Sequence, residues 1–230
     1  MSSVPSIPEF YAGRSIFITG ATGFLGKILV EKLLRSCPDV KCVYLLIRPK
    51  KGKETQERLE EILESKLFGK VKADNPDFRS KCKAIEGDII KEGLGIDQSD
   101  LDILSKEVSV VFHSAATIKF DEEMKLSAEM NVSGVKSMLE ICKKLPNLAS
   151  FTHISTAYAN CDQEKITEDI YDPPLKPDQL LTEYLIKQEA GSLPVAIFRP
   201  SIVGATYQEP FRGWVDNVNG PTGLLAAVCF

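Results

Sequence analysis

The residues with the clearest chemical meaning are three glycines near the start of the chain. Gly20, Gly23 and Gly26 stand in the run Thr-Gly-Ala-Thr-Gly-Phe-Leu-Gly, directly after a short apolar stretch. In that context the first glycine permits a tight turn, the second lets a pyrophosphate approach the backbone, and the third lets a helix pack closely on a strand. The pattern predicts a dinucleotide-binding turn, with a purely structural glycine turn as the alternative. The candidate cofactor-binding residues of this turn are Gly20, Thr22, Gly23, Phe24, Leu25 and Gly26.

A cationic residue stands where dinucleotide-binding folds distinguish between nicotinamide cofactors. An acidic residue at the end of the second strand accepts a hydrogen bond from the ribose 2′-hydroxyl of NADH. This chain has Arg48 there, followed by Lys50 and Lys51. A guanidinium suits a 2′-phosphate, so the sequence favours NADPH as the cofactor. The alternative is that Arg48 is an ordinary surface charge.

The glycine spacing G-x-x-G-x-x-G resembles that of the extended short-chain dehydrogenase/reductase superfamily. The resemblance implies that Asp88 and Ile89, which follow the third predicted strand, contact the adenine. It also implies that the small residues after the fourth strand lie beside the nicotinamide, in the run His113-Ser114-Ala115-Ala116. Asn131 resembles the superfamily's helix asparagine near the site, and a polar residue within a helix is the alternative. A lone histidine at a strand end is otherwise usually structural.

Hydroxyl residues end the fifth predicted strand. Thr156 and Ser155 could donate hydrogen bonds to a substrate carbonyl and to the oxyanion that forms on it, with Thr156 the first choice as catalytic residue. A strand-end turn capped by hydroxyl groups is the alternative. Pro200, Ser201 and Ile202 follow the sixth predicted strand and resemble the superfamily's loop beside the nicotinamide.

Apolar stretches alternate with helical periodicity along the chain, which predicts an α/β fold. Strands are apolar throughout when helices cover both faces of a parallel sheet. We therefore expect a doubly wound, Rossmann-like parallel sheet in a single domain over residues 1–230, with a cofactor-binding core at 14–204 and the start of a truncated substrate region at 205–230. The predicted strands are 14–19, 42–47, 83–86, 108–112, 149–155 and 195–198, and the predicted helices are 24–35, 53–68, 98–104, 122–144 and 177–190.

Composition excludes several classes of protein. The formal net charge of the 230 residues is −4 and no basic tract is present, which argues against nucleic acid as a partner. The six cysteines form no C-x-x-C pair and no metal spacing with the two histidines, so we expect reduced thiols and no metal. No transmembrane segment is expected, because no apolar run is long enough, and the N-terminus lacks a secretion signal. These features indicate a protein on the cytoplasmic side.

Longer stretches resemble one family, the alcohol-forming fatty acyl-CoA reductases. They include Tyr11–Gly26, Tyr44–Pro49, His113–Phe120, His153–Asn160 and Phe198–Gly223. The resemblance implies NADPH-dependent reduction of a long-chain fatty acyl-CoA through an aldehyde to a fatty alcohol. It also implies attachment to the peroxisomal membrane by a C-terminal tail, which this sequence lacks. A sugar or steroid enzyme of the same superfamily is the alternative, and the first and last of these stretches argue against it.

The sequence departs from the family at its proton donor. The superfamily uses a Tyr-x-x-x-Lys pair on the helix after the fifth strand, and this chain contains no such pair. The expected segment precedes Glu183, where the sequence passes directly from Pro177-Asp-Gln-Leu-Leu-Thr182, so we expect a deletion there. Tyr184 and Lys187 share a helix face, but if the helix keeps the family's register, Tyr184 points about 180° from the catalytic position. A slipped register, in which the two residues replace the pair, is the alternative.

Two consequences follow from the predicted deletion. The chain is either a reductase by family or a catalytically impaired NADPH-binding remnant or regulatory isoform. A shortened helix would also leave part of the sheet uncovered, which predicts poor solubility or a partner chain, such as a homo-oligomer.

Overall fold

The computed structural model describes residues 4–50, 52–116, 129–160, 163–171 and 182–217. Its strands are β1 (Ser15–Thr19), β2 (Cys42–Ile47), β3 (Cys82–Glu86), β4 (Val108–His113), β5 (Ser150–Ile154) and β6 (Val195–Phe198). Its helices are α1 (Ile7–Tyr11), α2 (Phe24–Ser36), α3 (Thr55–Glu64), α4 (Gly69–Asp74), α5 (Gln98–Glu107), α6 (Gly134–Cys142) and α7 (Thr182–Glu189).

The strands form one parallel sheet in the order β3-β2-β1-β4-β5-β6. The chain moves outward from β1 to β3 and then returns to the other side of β1 at β4. The reversal leaves a crevice at the carboxyl ends of β1 and β4, which is where doubly wound folds bind their ligands. The predicted fold class is therefore confirmed.

Alternate side chains of the strands enter two apolar clusters, one on each face of the sheet. Ile16 and Ile18 of β1 pack on the face that α2 and α3 cover. Phe17 points to the opposite face and packs with residues of α5, α6 and α7. Because both faces are covered, all residues of β1 and β2 are buried, which explains why these strands read as continuous apolar runs.

The predicted helix over 53–68 is wrong in its length. Helix α3 ends at Glu64, because Ser65 is extended with φ −60° and ψ 153°. A single 3₁₀ turn, Lys66–Phe68, follows and leads into α4. The apolar spacing continues across this break, so the sequence of α3 and of the 3₁₀ turn resembles that of one continuous helix.

Two other helix predictions are described only in part. A π-helical turn at Glu129–Ser133 precedes α6, and the rest of the predicted helix over 122–144 lies largely outside the described residues. The described part of the predicted helix over 177–190 is α7. Helix α1 was not predicted, although Ser6 and Glu9 form a capping box that marks its start.

The described cysteines are buried free thiols, at positions 37, 42, 82 and 142. Burial raises the pKa of Cys82 and Cys142 to about 12, so neither thiol is reactive at neutral pH. Within the described ranges, no helix is both long enough and apolar enough to cross a bilayer, and no cluster of potential metal ligands occurs.

Candidate dinucleotide-binding site

The glycine turn packs backbone directly against backbone. Gly20 has φ +74°, and a Cβ there would lie 2.6 Å from the carbonyl carbon and oxygen of Ser114. A Cβ on Gly26 would lie 2.3 Å from the carbonyl oxygen of Gly20. Side chains do not fit at either position, so the predicted turn and the predicted close packing of helix on strand are both present. Gly23 caps α2 and is exposed.

The N-terminus of α2 opens beside a cleft that four strand ends line. The amide groups of the first helical turn lack partners within the helix and carry the positive end of its dipole, which suits a pyrophosphate. Eight predicted cofactor residues line the cleft, namely Gly20, Thr22, Gly23, Arg48, Asp88, Ile89, Ser114 and Ala115. Leu46, Gly87 and Ala116 also line it and were not predicted. Gly87 and Ala116 are adjacent in sequence to predicted residues, and Leu46 lies two residues before Arg48.

Arg48 projects from the end of β2 beside Asp88 at the end of β3. Its Nη1 lies 3.8 Å from Oδ2 of Asp88, and its side chain is 61% exposed. A loose, exposed ion pair of this kind holds a guanidinium weakly. Arg48 can therefore turn to an anion in the cleft. Asp88 is more firmly held, because its Oδ1 accepts a hydrogen bond from the amide of Ile90.

His113 is buried beneath the residues that line the cleft and does not line it itself. The side chain is fully buried, and its Nδ1 lies 2.9 Å from Oγ1 of Thr19, which also accepts the amide hydrogen of Ala115. Burial, together with the neighbouring His153, lowers the pKa of His113 to about 3. The side chain is thus neutral and joins the ends of β1 and β4. That His113 contacts the cofactor stays a prediction.

Other predicted cofactor residues also lie outside the cleft. Leu25 and Gly26 belong to the first turn of α2, and the Phe24 ring stacks on Trp214. The Asn131 carbonyl accepts a hydrogen bond from Thr182, at the start of α7.

The loop after β6 runs beside the end of β5 instead. The carbonyl of Pro200 accepts the amide hydrogen of Ala157 at 2.9 Å, whereas Ser201 and Ile202 are exposed. Contacts between these residues and a cofactor stay predictions.

The two hydroxyl residues after β5 have different partners. Ser155 donates its hydroxyl hydrogen to Oε1 of Glu183 at 2.5 Å. Thr156 is exposed, and its Oγ1 accepts the amide hydrogen of Tyr158 at 3.2 Å. The Thr156 hydroxyl therefore keeps its own hydrogen for donation, which favours Thr156 over Ser155 as the carbonyl-binding group.

Glu183 and Arg199 form a buried ion pair that the sequence did not indicate. Nε of Arg199 lies 2.9 and 3.1 Å from the two carboxylate oxygens, and the same guanidinium donates to the carbonyls of Thr167 and Asp169. Burial alone would raise the pKa of Glu183, but hydrogen bonds from Arg199 and Ser155 outweigh it and lower that pKa. The pair joins α7 to β6 and to the loop at 163–171.

Tyr184 and Lys187 do not line the cleft. Nζ of Lys187 lies 3.5 Å from the carbonyl oxygen of Ile170, and Lys187 lines a separate cleft beside β6. Whether the two residues replace the missing Tyr-x-x-x-Lys pair stays a prediction.

The strand order, glycine turn and cleft define a Rossmann-like domain of the extended short-chain dehydrogenase/reductase class. Solved structures agree. The terminal R domain of the myxalamid biosynthetic pathway is 28% identical with a TM-score of 0.67, over 84% of this chain and 50% of that one. UDP-glucuronic acid 4-epimerase from Bacillus cereus, solved in complex with NAD, is 25% identical with a TM-score of 0.58, over 85% of this chain and 58% of that one.

Within that class, the chain belongs to the NAD-binding family described as male sterility protein, whose model matches residues 18–181 and 179–229. It is 43% identical to fatty acyl-CoA reductase 1 of Mus musculus, over 96% of this chain and 49% of that relative. It is 41% identical to fatty acyl-CoA reductase 1 of Homo sapiens and to fatty acyl-CoA reductase 2 of Bos taurus, with the same coverage. The chain spans about half the length of these relatives.

The comparisons also bear on the predicted deletion. The alignment with the Mus musculus relative extends over 254 residues, whereas this chain has 230 in all. The relative thus contains residues, within the aligned region, that this chain lacks. The two stretches matched by the family model meet at 179–181, which falls within the predicted junction between Pro177 and Glu183.

Proposed function

We propose that this chain is the NADPH-binding part of a reductase that converts long-chain fatty acyl-CoA, through an aldehyde, to a fatty alcohol. The observation that carries the proposal is the single cleft that the ends of β1 to β4 form, with Arg48 exposed at one end of it. The family relationship to fatty acyl-CoA reductases supports the choice of substrate.

The residues of the cleft fit a dinucleotide. At Gly20 and Gly26 a Cβ would clash with backbone, so the turn stays narrow and the amides of α2 stay accessible. The turn at Gly20–Gly23 would hold the pyrophosphate, Arg48 the 2′-phosphate, and Asp88 with Ile89 the adenosine. NADPH, when bound, supplies the hydride for the reaction.

Thr156 is the residue of this chain best suited to assist the chemistry. Reduction of a thioester or aldehyde carbonyl places negative charge on its oxygen, and a fixed hydroxyl donor stabilises that charge. The amide of Tyr158 fixes the position of the Thr156 oxygen while leaving its hydrogen available. Ser155 would support this strand end through Glu183 instead of binding the carbonyl.

A second function, NADPH binding without reduction, is favoured by the absence of the superfamily's proton-donating pair from this sequence. The final reduction needs a proton, and the sequence contains no Tyr-x-x-x-Lys pair. Loss of general acid catalysis typically slows a reaction by about 10²- to 10⁴-fold.

Titration with NADPH and NADH, followed by addition of palmitoyl-CoA, separates the two functions. Tight NADPH binding with nucleotide oxidation and alcohol release supports the reductase. Thr156→Val should then slow turnover by at least about tenfold, and Ser155→Ala should slow it less. Binding with no oxidation identifies a cofactor-binding chain, and no binding of either nucleotide contradicts both functions.

A further inference from the structure

A segment that follows β6 lies against the start of α2. We call residues 206–216 the clasp. The indole ring of Trp214 stacks on the Phe24 ring, with centroids 5.2 Å apart and an interplanar angle of 11°. Oδ2 of Asp216 lies 2.7 Å from Nζ of Lys27, and the two side chains are only 20% and 22% exposed. The clasp therefore contacts the first turn of α2 through a ring stack and an ion pair.

The clasp is closed by its own hydrogen bonds. The hydroxyl of Thr206 accepts the amide hydrogen of Trp214 at 2.9 Å and donates to the carbonyl of Phe211 at 2.6 Å. Two backbone bonds also join Thr206 to Trp214 and Gly213. These bonds fix the loop, so that it presents the indole as a constrained surface.

The part of α2 that the clasp contacts is the part proposed to hold the pyrophosphate. Phe24 directly follows Gly23, the helix cap, and Lys27 lies one turn further on. Amides in a first helical turn have no intrahelical acceptors, so this turn frays easily unless side chains hold it. The carboxylate of Asp216 also compensates the charge of Lys27, a cation that the positive end of the helix disfavours.

We infer that Trp214 and Asp216 are positioning residues for the cofactor. Through Phe24 and Lys27 they hold the first turn of α2 in the conformation that receives the pyrophosphate, without touching the nucleotide. This inference rests on the proposed cofactor. It also links the segment after β6 to the phosphate-binding turn.

The test compares four variants of the full chain. Trp214→Ala removes the stack, Trp214→Phe keeps an aromatic ring, and Asp216→Asn removes the charge. Glu209→Gln is the matched control, because Glu209 anchors the same clasp to Lys32 and Arg35, further along α2. The measurements are the Kd for NADPH, the amide hydrogen exchange of residues 24–27 without nucleotide, and the melting temperature.

Trp214→Ala should weaken NADPH binding by roughly tenfold and speed exchange at 24–27, as expected from the strength of an aromatic pair. Trp214→Phe should restore most of the affinity. Asp216→Asn, a conservative surface change, should weaken binding by about threefold, and Glu209→Gln should change neither Kd nor this exchange.

Wild-type affinity in both Trp214→Ala and Asp216→Asn would overturn the inference and leave the proposed function intact. An equal loss in Glu209→Gln would also overturn it, because the effect would then belong to the clasp as a whole. A wild-type chain that binds no nucleotide would overturn the inference and the proposed function together.

Discussion

Arg48 is the residue on which the proposed preference for NADPH depends. We expect Arg48→Leu to weaken NADPH binding by roughly 10- to 100-fold, since a hydrogen bond to a charged group contributes about 1.5–3 kcal/mol. NADH lacks the 2′-phosphate, so its affinity should change little. Lys53→Leu removes the same charge but from a side chain that pairs with Glu61, and it serves as control. Equal losses for both nucleotides in Arg48→Leu would mean that Arg48 does not read the 2′-phosphate.

The two histidines should make the fold sensitive to mild acid. Burial lowers the pKa of His113 to about 3 and that of His153 to about 4, from an ordinary value of 6.5. The unfolded chain therefore takes up protons first as the pH falls below 6.5, and stability present at neutral pH is lost down to about pH 4 for His153 and about pH 3 for His113. The cost at pH 5 is on the order of 2 kcal/mol per histidine.

Thermal unfolding at pH 7 and pH 5 tests this expectation. These are the chain's only two histidines, and the ordinary pKa of carboxylates lies below this window. The midpoint temperature of unfolding should be lower at pH 5 than at pH 7, and this difference should be smaller in His153→Gln. An unchanged midpoint in the wild-type chain would show that the imidazoles are not buried in neutral form.

Among the structural elements, α7 depends on the Glu183–Arg199 pair. Removing one partner of a buried ion pair leaves the other charge, here the Arg199 guanidinium, without a counter-ion. Glu183→Gln should therefore lower the free energy of unfolding by about 3 kcal/mol. The matched control is Glu189→Gln in the same helix, whose contact with Lys136 is long, at 3.8 Å, and partly exposed. That change should cost less than about 0.5 kcal/mol. Urea denaturation measures both, and similar small costs would contradict the role given to Glu183.

The elements also show what could be read from the sequence. Strands β2 and β6 begin and end where the apolar runs predict, because in both an unbroken run of apolar residues marks the strand. The break at Ser65 could not be predicted, since the apolar spacing continues across it. Most of the dinucleotide cleft was predictable from local sequence, because its lining residues belong to the glycine motif or lie at or just after the ends of recognisable strands.

Contacts across the fold were not predictable in this way. The Glu183–Arg199 pair depends on how α7 lies against β6, and the stack of Phe24 on Trp214 joins residues far apart in the chain. Neither follows from periodicity or a short motif. The resemblance of the run His113-Ser114-Ala115-Ala116 to the superfamily predicts a cofactor contact for His113, whereas its side chain is fully buried at the end of β4.

For the whole molecule, the edge of the sheet at β6 predicts self-association. Among the described strands, β6 pairs only with β5. Phe198 in β6 is 56% exposed and Ile202 just beyond it is 61% exposed. Exposed apolar side chains along an open strand edge favour association with another copy. Sedimentation velocity over a concentration series should therefore show oligomers.

Phe198→Lys should shift that distribution toward the monomer, because a charge on an edge strand opposes pairing. Ile103→Lys places the same charge on α5, where the side chain is 40% exposed, and should leave the distribution unchanged. A wild-type chain that sediments as a monomer at every concentration would contradict the expectation.

The position of Trp214 gives the chain an internal optical probe. It is the only tryptophan among the 230 residues, so all indole emission comes from one side chain, stacked at the head of α2. A reduced nicotinamide absorbs at the wavelengths at which indole emits. A reduced nucleotide bound beside that helix would therefore quench the Trp214 fluorescence by resonance energy transfer. Occupancy of the cleft can thus be followed in the unlabelled protein from the fluorescence of Trp214 alone.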